Sequence, residues 1–359
     1  MEENIQNFSF SRYTKPIQTG LKNFGESSYL NSVLYCLGNI RQFASYFLNP
    51  KNQEYINASI ANRPLSYVVE RLLIHLYPFP ERSTKEIYDP NAFFKVLGKL
   101  NKIYQTFQRR DPNDLISFIL ITLHNELNQI KDPNFAININ YNDKKNVIKN
   151  AIRLFQNSEN SLISNKFNWF EIKELKCTEC NTVSYSLKTY NTFTLDFEKS
   201  FNNIKGQKDT LTIYDCLEYH KIIQQRNLFC NHCNNYKNMN CNLKILSSPI
   251  YFVFLIDRGG DYFEDTQKLL TIPFHLNDKI QLDNFVVNEK APKNYELIGM
   301  VSIYINEKKY ISICNSPVDN NWYIYNDENS EQVDINNIIK KHNDSKELIP
   351  SILIYKTHE

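Results

Sequence analysis

Four of the eight cysteines stand in two Cys-x-x-Cys pairs, Cys177–Cys180 and Cys230–Cys233, and little else in the chain restricts its fold as much. If all four thiols serve one site, residues 181–229 must leave it and return, so two turns distant in sequence have to meet. Four thiolates in such pairs suit tetrahedral zinc, and four protein ligands leave no open position for catalysis. The alternatives are a vestigial empty site or disulfides, and disulfides belong mainly to short secreted chains. This chain has 359 residues, and Met1 to Lys15 carries Glu2 and Glu3 with no apolar run, unlike a signal peptide. The expectation is structural zinc in an intracellular protein. Cys36, Cys216, Cys241 and Cys314 lack such a partner and are expected to be buried thiols.

A hydrophobic content of 42% is enough for a substantial core in one large domain or two medium ones. The net charge of +2, from 41 basic and 39 acidic residues, makes no electrostatic case for a nucleic-acid or membrane partner. The most apolar stretch, Leu115 to Leu123, is too short to span a bilayer.

The first half reads as helical. Leu30, Val33, Leu34 and Leu37 form one helical face behind Ser27 and Ser28, and Ser28 is expected to cap that helix. Asn113 to Leu127 has the same periodicity, with His124 read as a structural histidine. Asp132 to Asn165 is polar and Asn-rich and reads as an insertion or mobile loop. Strands follow, at Tyr251 to Ile256, Leu297 to Ile305, Tyr310 to Ile313, Trp322 to Tyr325 and Ile352 to Tyr355. Helices first and strands later indicate an α+β fold.

The segment Gly20-Leu21-Lys22-Asn23-Phe24-Gly25-Glu26-Ser27-Ser28-Tyr29-Leu30-Asn31-Ser32 resembles the cysteine box of ubiquitin-specific proteases, Gly-Leu-x-Asn-Leu-Gly-Asn-Thr-Cys-Tyr-Met-Asn-Ser. Three further blocks follow in the family's order. Arg109-Arg110-Asp111-Pro112-Asn113-Asp114-Leu115 resembles its Gln-Gln-Asp block, and the two cysteine pairs resemble its zinc ribbon. Tyr295 to Tyr355, with Tyr310 and Asn326-Asp327, resembles its histidine box and closing strands. The resemblance implies a papain-like fold of the ubiquitin-specific protease type. Residues 1–170 would form a helical thumb with part of the palm, 171–248 the fingers and 249–359 the palm sheet.

The family's chemistry needs a thiolate, a histidine base, a group to orient it and an oxyanion hole. In this alignment Ser28 stands in place of the cysteine, Lys309 in place of the histidine and Glu26 in place of the oxyanion asparagine, while Asp327 keeps the orienting acid. No histidine lies between His275 and His342. A carboxylate accepts hydrogen bonds where an oxyanion hole must donate them. Losing one such donor costs about 10²–10³ in rate. A serine–lysine dyad would need a neutral Lys309, and a neighbouring carboxylate favours the ammonium. The expectation is a Lys309–Asp327 ion pair filling a catalytically inactive centre.

The resemblance also implies a ubiquitin-holding surface including Asp111, Asp114 and Tyr310, though Arg109, Arg110 and Lys308 replace the family's two glutamines and glycine along the tail channel. Ubiquitin or ubiquitinated proteins are thus the expected partners of a pseudo-deubiquitinase. The alternatives are an active hydrolase with a degenerate centre, or a ubiquitin-independent scaffold like the family's spliceosomal member. Tyr46-Phe47-Leu48 and Asp111-Pro112-Asn113-Asp114-Leu115 resemble that member, which lacks an intact zinc ribbon.

Overall fold

A computed structural model describes residues 9–78, 86–130, 140–258, 272–344 and 347–357. Its helical half is organised round the central helix Ser28–Gly38, buried along its whole length. Helices Arg41–Leu48, Pro64–Leu76, Asn91–Leu100 and Pro112–Leu127 pack around it in one continuous core. Pro at the first turn pre-sets the helical φ of Pro64–Leu76 and Pro112–Leu127.

The central helix rests on an eight-stranded sheet. Its spatial order is Asn329–Val333, Trp322–Asn326, Lys309–Asn315, Asn294–Tyr304, Leu348–Thr357, Tyr251–Asp257 and Phe193–Asp196, with Lys279–Gln281 joining beside Asn294–Tyr304. Tyr251 to Ile256 is buried on both faces, as expected of an unbroken apolar run between two layers. The sequence-predicted strands of this half all form, within a few residues of the expected bounds.

A separate four-stranded antiparallel sheet, in the order Val183–Tyr190, Trp169–Cys177, Asn235–Ser247 and Gln224–Cys230, lies where the fingers are expected and carries both cysteine pairs at one end. The chain does not stay in it continuously. Phe193–Asp196 pairs in parallel with Tyr251–Asp257 in the large sheet, and helices Phe197–Ile204 and Ile213–His220 follow before the fingers resume.

The stretch read as a loop differs from expectation. Helix Lys144–Ser158 is capped by Asp143, which accepts from the Lys145 and Asn146 amides, and Leu162–Lys166 starts in a Ser161/Ser164 capping box. Val147, Ile148, Ile152 and Phe155 hold a helical period that the surrounding Asn and Lys obscured. Residues 132–139 of that stretch lie outside the described residues. Among the described residues, no helix is long and apolar enough to cross a membrane.

Candidate functional site

The loop before the central helix is built from its own side chains. Gly25 adopts φ +96°, a conformation that favours glycine. The Ser27 hydroxyl accepts from the Phe24 amide at 2.9 Å and donates to Asn23 Oδ1 at 3.1 Å. This corrects the capping expectation. Ser27 is the N-cap by position and makes no side-chain cap bond, while Ser28 is already the first helical residue. The Ser28 side chain looks outward to the sheet, where its Oγ accepts from the Tyr310 amide at 3.2 Å. Ser28 is only 5% exposed.

Lys309 opens the strand beside it, after Lys308 turns the chain at φ +52°. Its Nζ lies 2.9 Å from Asp327 Oδ2. Asp327 is 6% exposed, and its carboxylate receives two more donors: Asn23 Nδ2 at 2.7 Å on Oδ2 and Asn31 Nδ2 at 2.8 Å on Oδ1. Its own main chain is held as firmly, since its carbonyl accepts from the Leu21 amide and the Tyr35 hydroxyl. Asp327 sits at φ +52°, a conformation that Asp tolerates better than most side chains. The turn docks against Gly20, where a Cβ would come within 2.5 Å of the Glu328 carbonyl oxygen. Glycine is required there.

Glu26 forms a second pair. Its carboxylate accepts from the Arg109 amide at 3.1 Å and lies 3.4 Å from the Arg109 guanidinium. Two residues that depart from the resembled pattern in separate blocks thus neutralise each other. Asp111 caps helix Pro112–Leu127 through the Asn113 amide at 2.8 Å, and Asp114 is exposed in its first turn. The Tyr310 ring is 1% exposed, so this residue meets the centre through its main chain.

Among the described residues, no histidine contacts Ser28. Among the described histidines, His342 contacts Ser302 and the Ile338 carbonyl, His124 contacts Ser161 and His75 contacts the Arg71 carbonyl. His220 lies by Glu171, His232 is in the fingertip turn and His275 is in the strand paired with Leu211–Thr212. Sequence reasoning passed over Asn23, Asn31, Tyr35 and the Arg109 partner of Glu26. Asn23 and Asn31 stand inside the cysteine box, where residue type alone gives no sign that they hold Asp327.

At the far end of the fingers, Cys177, Cys180, Cys230 and Cys233 converge, with all four Sγ atoms within 4.8 Å of one another. Cys177 pairs with Cys233 at 3.9 Å and Cys180 with Cys230 at 3.6 Å, and all are free thiols. The two turns are alike: Asn181 (φ 59°) and Asn234 (φ 52°) each take the left-handed conformation just after the second cysteine of their pair. The hydrogen bond with Thr182 lowers the Cys180 pKa to about 6, while the hydrogen bond with Cys180 raises that of Cys233 to about 12, so Cys180 is the thiol that ionises first. The cluster is able to bind a metal ion, as expected of the two cysteine pairs, and its four thiols are free rather than joined in disulfides.

Residues 19–355 match the family model described as ubiquitin carboxyl-terminal hydrolase. The chain belongs to this family. Ubiquitin carboxyl-terminal hydrolase 12 of Saccharomyces cerevisiae is 29% identical over 49% of the chain, and ubiquitin carboxyl-terminal hydrolase 2 of Bos taurus is 22% identical over 86%. The chain spans 15% of the yeast relative and 51% of the bovine one. Among solved structures, the SAGA DUB module of Ubp8, Sgf11, Sus1 and Sgf73 bound to monoubiquitin matches with a TM-score of 0.67. That match covers 98% of this chain and 71% of the other, at 17% identity. The fold is the α+β fold of the ubiquitin-specific proteases, and the four-cysteine cluster is consistent with its fingers.

Proposed function

We propose that this chain is a non-hydrolysing member of the family that binds ubiquitin or ubiquitinated proteins. The observation that carries the proposal is the Lys309–Asp327 ion pair at 2.9 Å, occupying the place where the family aligns a histidine with its acid. An ammonium already held by a carboxylate cannot take the proton of Ser28. The Ser28 oxygen faces the Tyr310 amide rather than a base, and the Glu26 carboxylate can only accept where an oxyanion would need donors.

The ubiquitin-holding role is supported by the fold and by Ubp8, which is seen bound to monoubiquitin. Asp111 and Asp114 would supply acid toward the modifier's tail, and Tyr310 would contribute its main chain. The four cysteines would hold one zinc ion whose part is to keep the fingers folded.

Two measurements test the two halves of this reading. With ubiquitin bearing a C-terminal fluorophore, no release above buffer is expected; turnover that vanishes in Ser28→Ala would overturn the inactivity. Labelled ubiquitin titrated with the protein should show resonance shifts on its hydrophobic face. An unchanged spectrum at several hundred micromolar would imply binding weaker than about 4 kcal/mol and remove ubiquitin as partner.

A further inference from the structure

Helix Lys144–Ser158 takes part in neither the Ser28 centre nor the cysteine cluster. It packs over strand Val183–Tyr190, and its Phe155 ring meets Phe170 of the fingers edge-on at 4.8 Å. Ile148, Ile152 and Phe155 are spaced so that they share one face of the helix. Across from them stand Phe170, Leu246 and Asn288, and between the two walls runs an open groove of about 480 Å³. The far wall is anchored, because the Asn288 amide donates to the Leu246 carbonyl at 2.9 Å.

The charge around the groove is one-sided. Lys145, Lys149 and Arg153 recur every fourth residue and therefore line up beside the apolar stripe, all three exposed. Among the described residues none of these three makes an ion pair. On the opposite wall Asn288 is neutral, and the adjacent Glu289 and Lys290 offset each other. An apolar trough with one unpaired basic edge complements a segment that carries apolar side chains on one side and carboxylates on the other.

We propose that this groove docks an acidic amphipathic segment of a partner protein. A lipid surface suits it less, since the apolar atoms line a trough instead of projecting from a convex face. The site is separate from the Ser28 centre. Strand Asn294–Tyr304 pairs with Lys309 at its Tyr304 end, while Tyr295 at its other end bonds the Pro249 carbonyl beneath the fingers. At about 3.3 Å per residue, those ends lie roughly 30 Å apart.

The test uses the full chain and a fluorescein-labelled helical peptide with Leu and Phe on one face and Glu along the other, read by anisotropy. Saturable binding is expected, weakening severalfold as salt is raised and at least tenfold in Lys149→Glu/Arg153→Glu. Ile152→Asp should abolish it, and matching thermal melts of the variants would show that they still fold. A charge-reversed peptide carrying Lys for Glu should not bind.

Equal binding of both peptides, or indifference to Ile152→Asp, would overturn the proposal. So would no binding of the acidic peptide at several hundred micromolar. Sedimentation showing a wild-type dimer that Ile152→Asp dissociates would assign the groove to a second copy instead. Co-sedimentation with phosphatidylserine vesicles, lost in the same variant, would assign it to membrane. None of these outcomes bears on whether Ser28 is inert.

Discussion

The fingertip and the Ser28 centre are both built where distant segments meet, and on the proposed reading they differ in what they keep of the family's pattern. At the fingertip all four cysteines are present and converge within 4.8 Å, on two turns with the same left-handed asparagine. At the centre the proposed alignment puts Ser28, Lys309 and Glu26 at three of the four positions that the family's chemistry uses, and the surrounding side chains hold Asp327 in a dense hydrogen-bond network. Asn23, Asn31 and Tyr35 still grip Asp327, and Gly20 still admits the turn that carries it. The difference lies in what each site does for folding. Four thiolates that share a metal are folding free energy outright, so losing one costs the subdomain. A catalytic base is kept for chemistry rather than for stability, so an ion pair in its place need not cost the fold.

Metal removal should therefore have the largest effect. Zinc in small finger peptides contributes about 10–16 kcal/mol. A chelator, or Cys180→Ser, should release one equivalent of zinc and collapse hydrogen-exchange protection in the fingers while the central helix stays protected. A metal-free preparation with protected fingers would break the contrast.

Acid should act next, on the palm. Burial lowers the pKa of His342, whose imidazole lies against Ser302 and the Ile338 carbonyl, to about 4. The unfolded chain binds that proton near pH 6.5. Stability from the neutral ring is thus fully present above pH 6.5 and is lost as pH falls toward 4. Between pH 7 and pH 5 the loss should be about 2 kcal/mol, read as the difference in urea stability between wild type and His342→Gln. That difference sets aside the protonation of the cysteine cluster.

Lys309→Ala should cost about 1–2 kcal/mol. It strands a carboxylate that is 6% exposed, but Asn23 and Asn31 remain as donors and Lys309 itself is 32% exposed, which screens the pair. A melt unchanged from wild type would mean that the pair does not hold the centre. Arg109→Ala should cost less than about 0.5 kcal/mol, because Glu26 is 50% exposed. The smallest expected effect is none: Ser28→Cys should leave fluorogenic ubiquitin uncleaved, since no described imidazole reaches the thiol. Turnover in this variant would mean that a base outside the aligned position serves the site.

Much of this contrast was legible before any coordinates. The cysteine pairs, the box around Ser28 and the alignment of Lys309 with Asp327 are short motifs, and their consequences follow from the chemistry of the residue types. The Lys309–Asp327 pair follows from placing an ammonium beside a buried carboxylate. Glu26 with Arg109 was not legible, because the partners are 83 positions apart and lie in separate blocks. The helix Lys144–Ser158 was hidden for another reason: its polar composition outweighed a period of only four apolar residues.

By itself the sequence determined the fold family, the convergence of the four cysteines and the absence of a histidine at the aligned position. These depend on local patterns and on side-chain chemistry that no packing can alter. Only the tertiary structure decided that Ser28 faces the Tyr310 amide, that Glu26 is neutralised by Arg109 and that the polar stretch becomes a helix with a groove beneath it. Those outcomes are set by which distant surfaces come into contact, and burial decides there which charges must find partners.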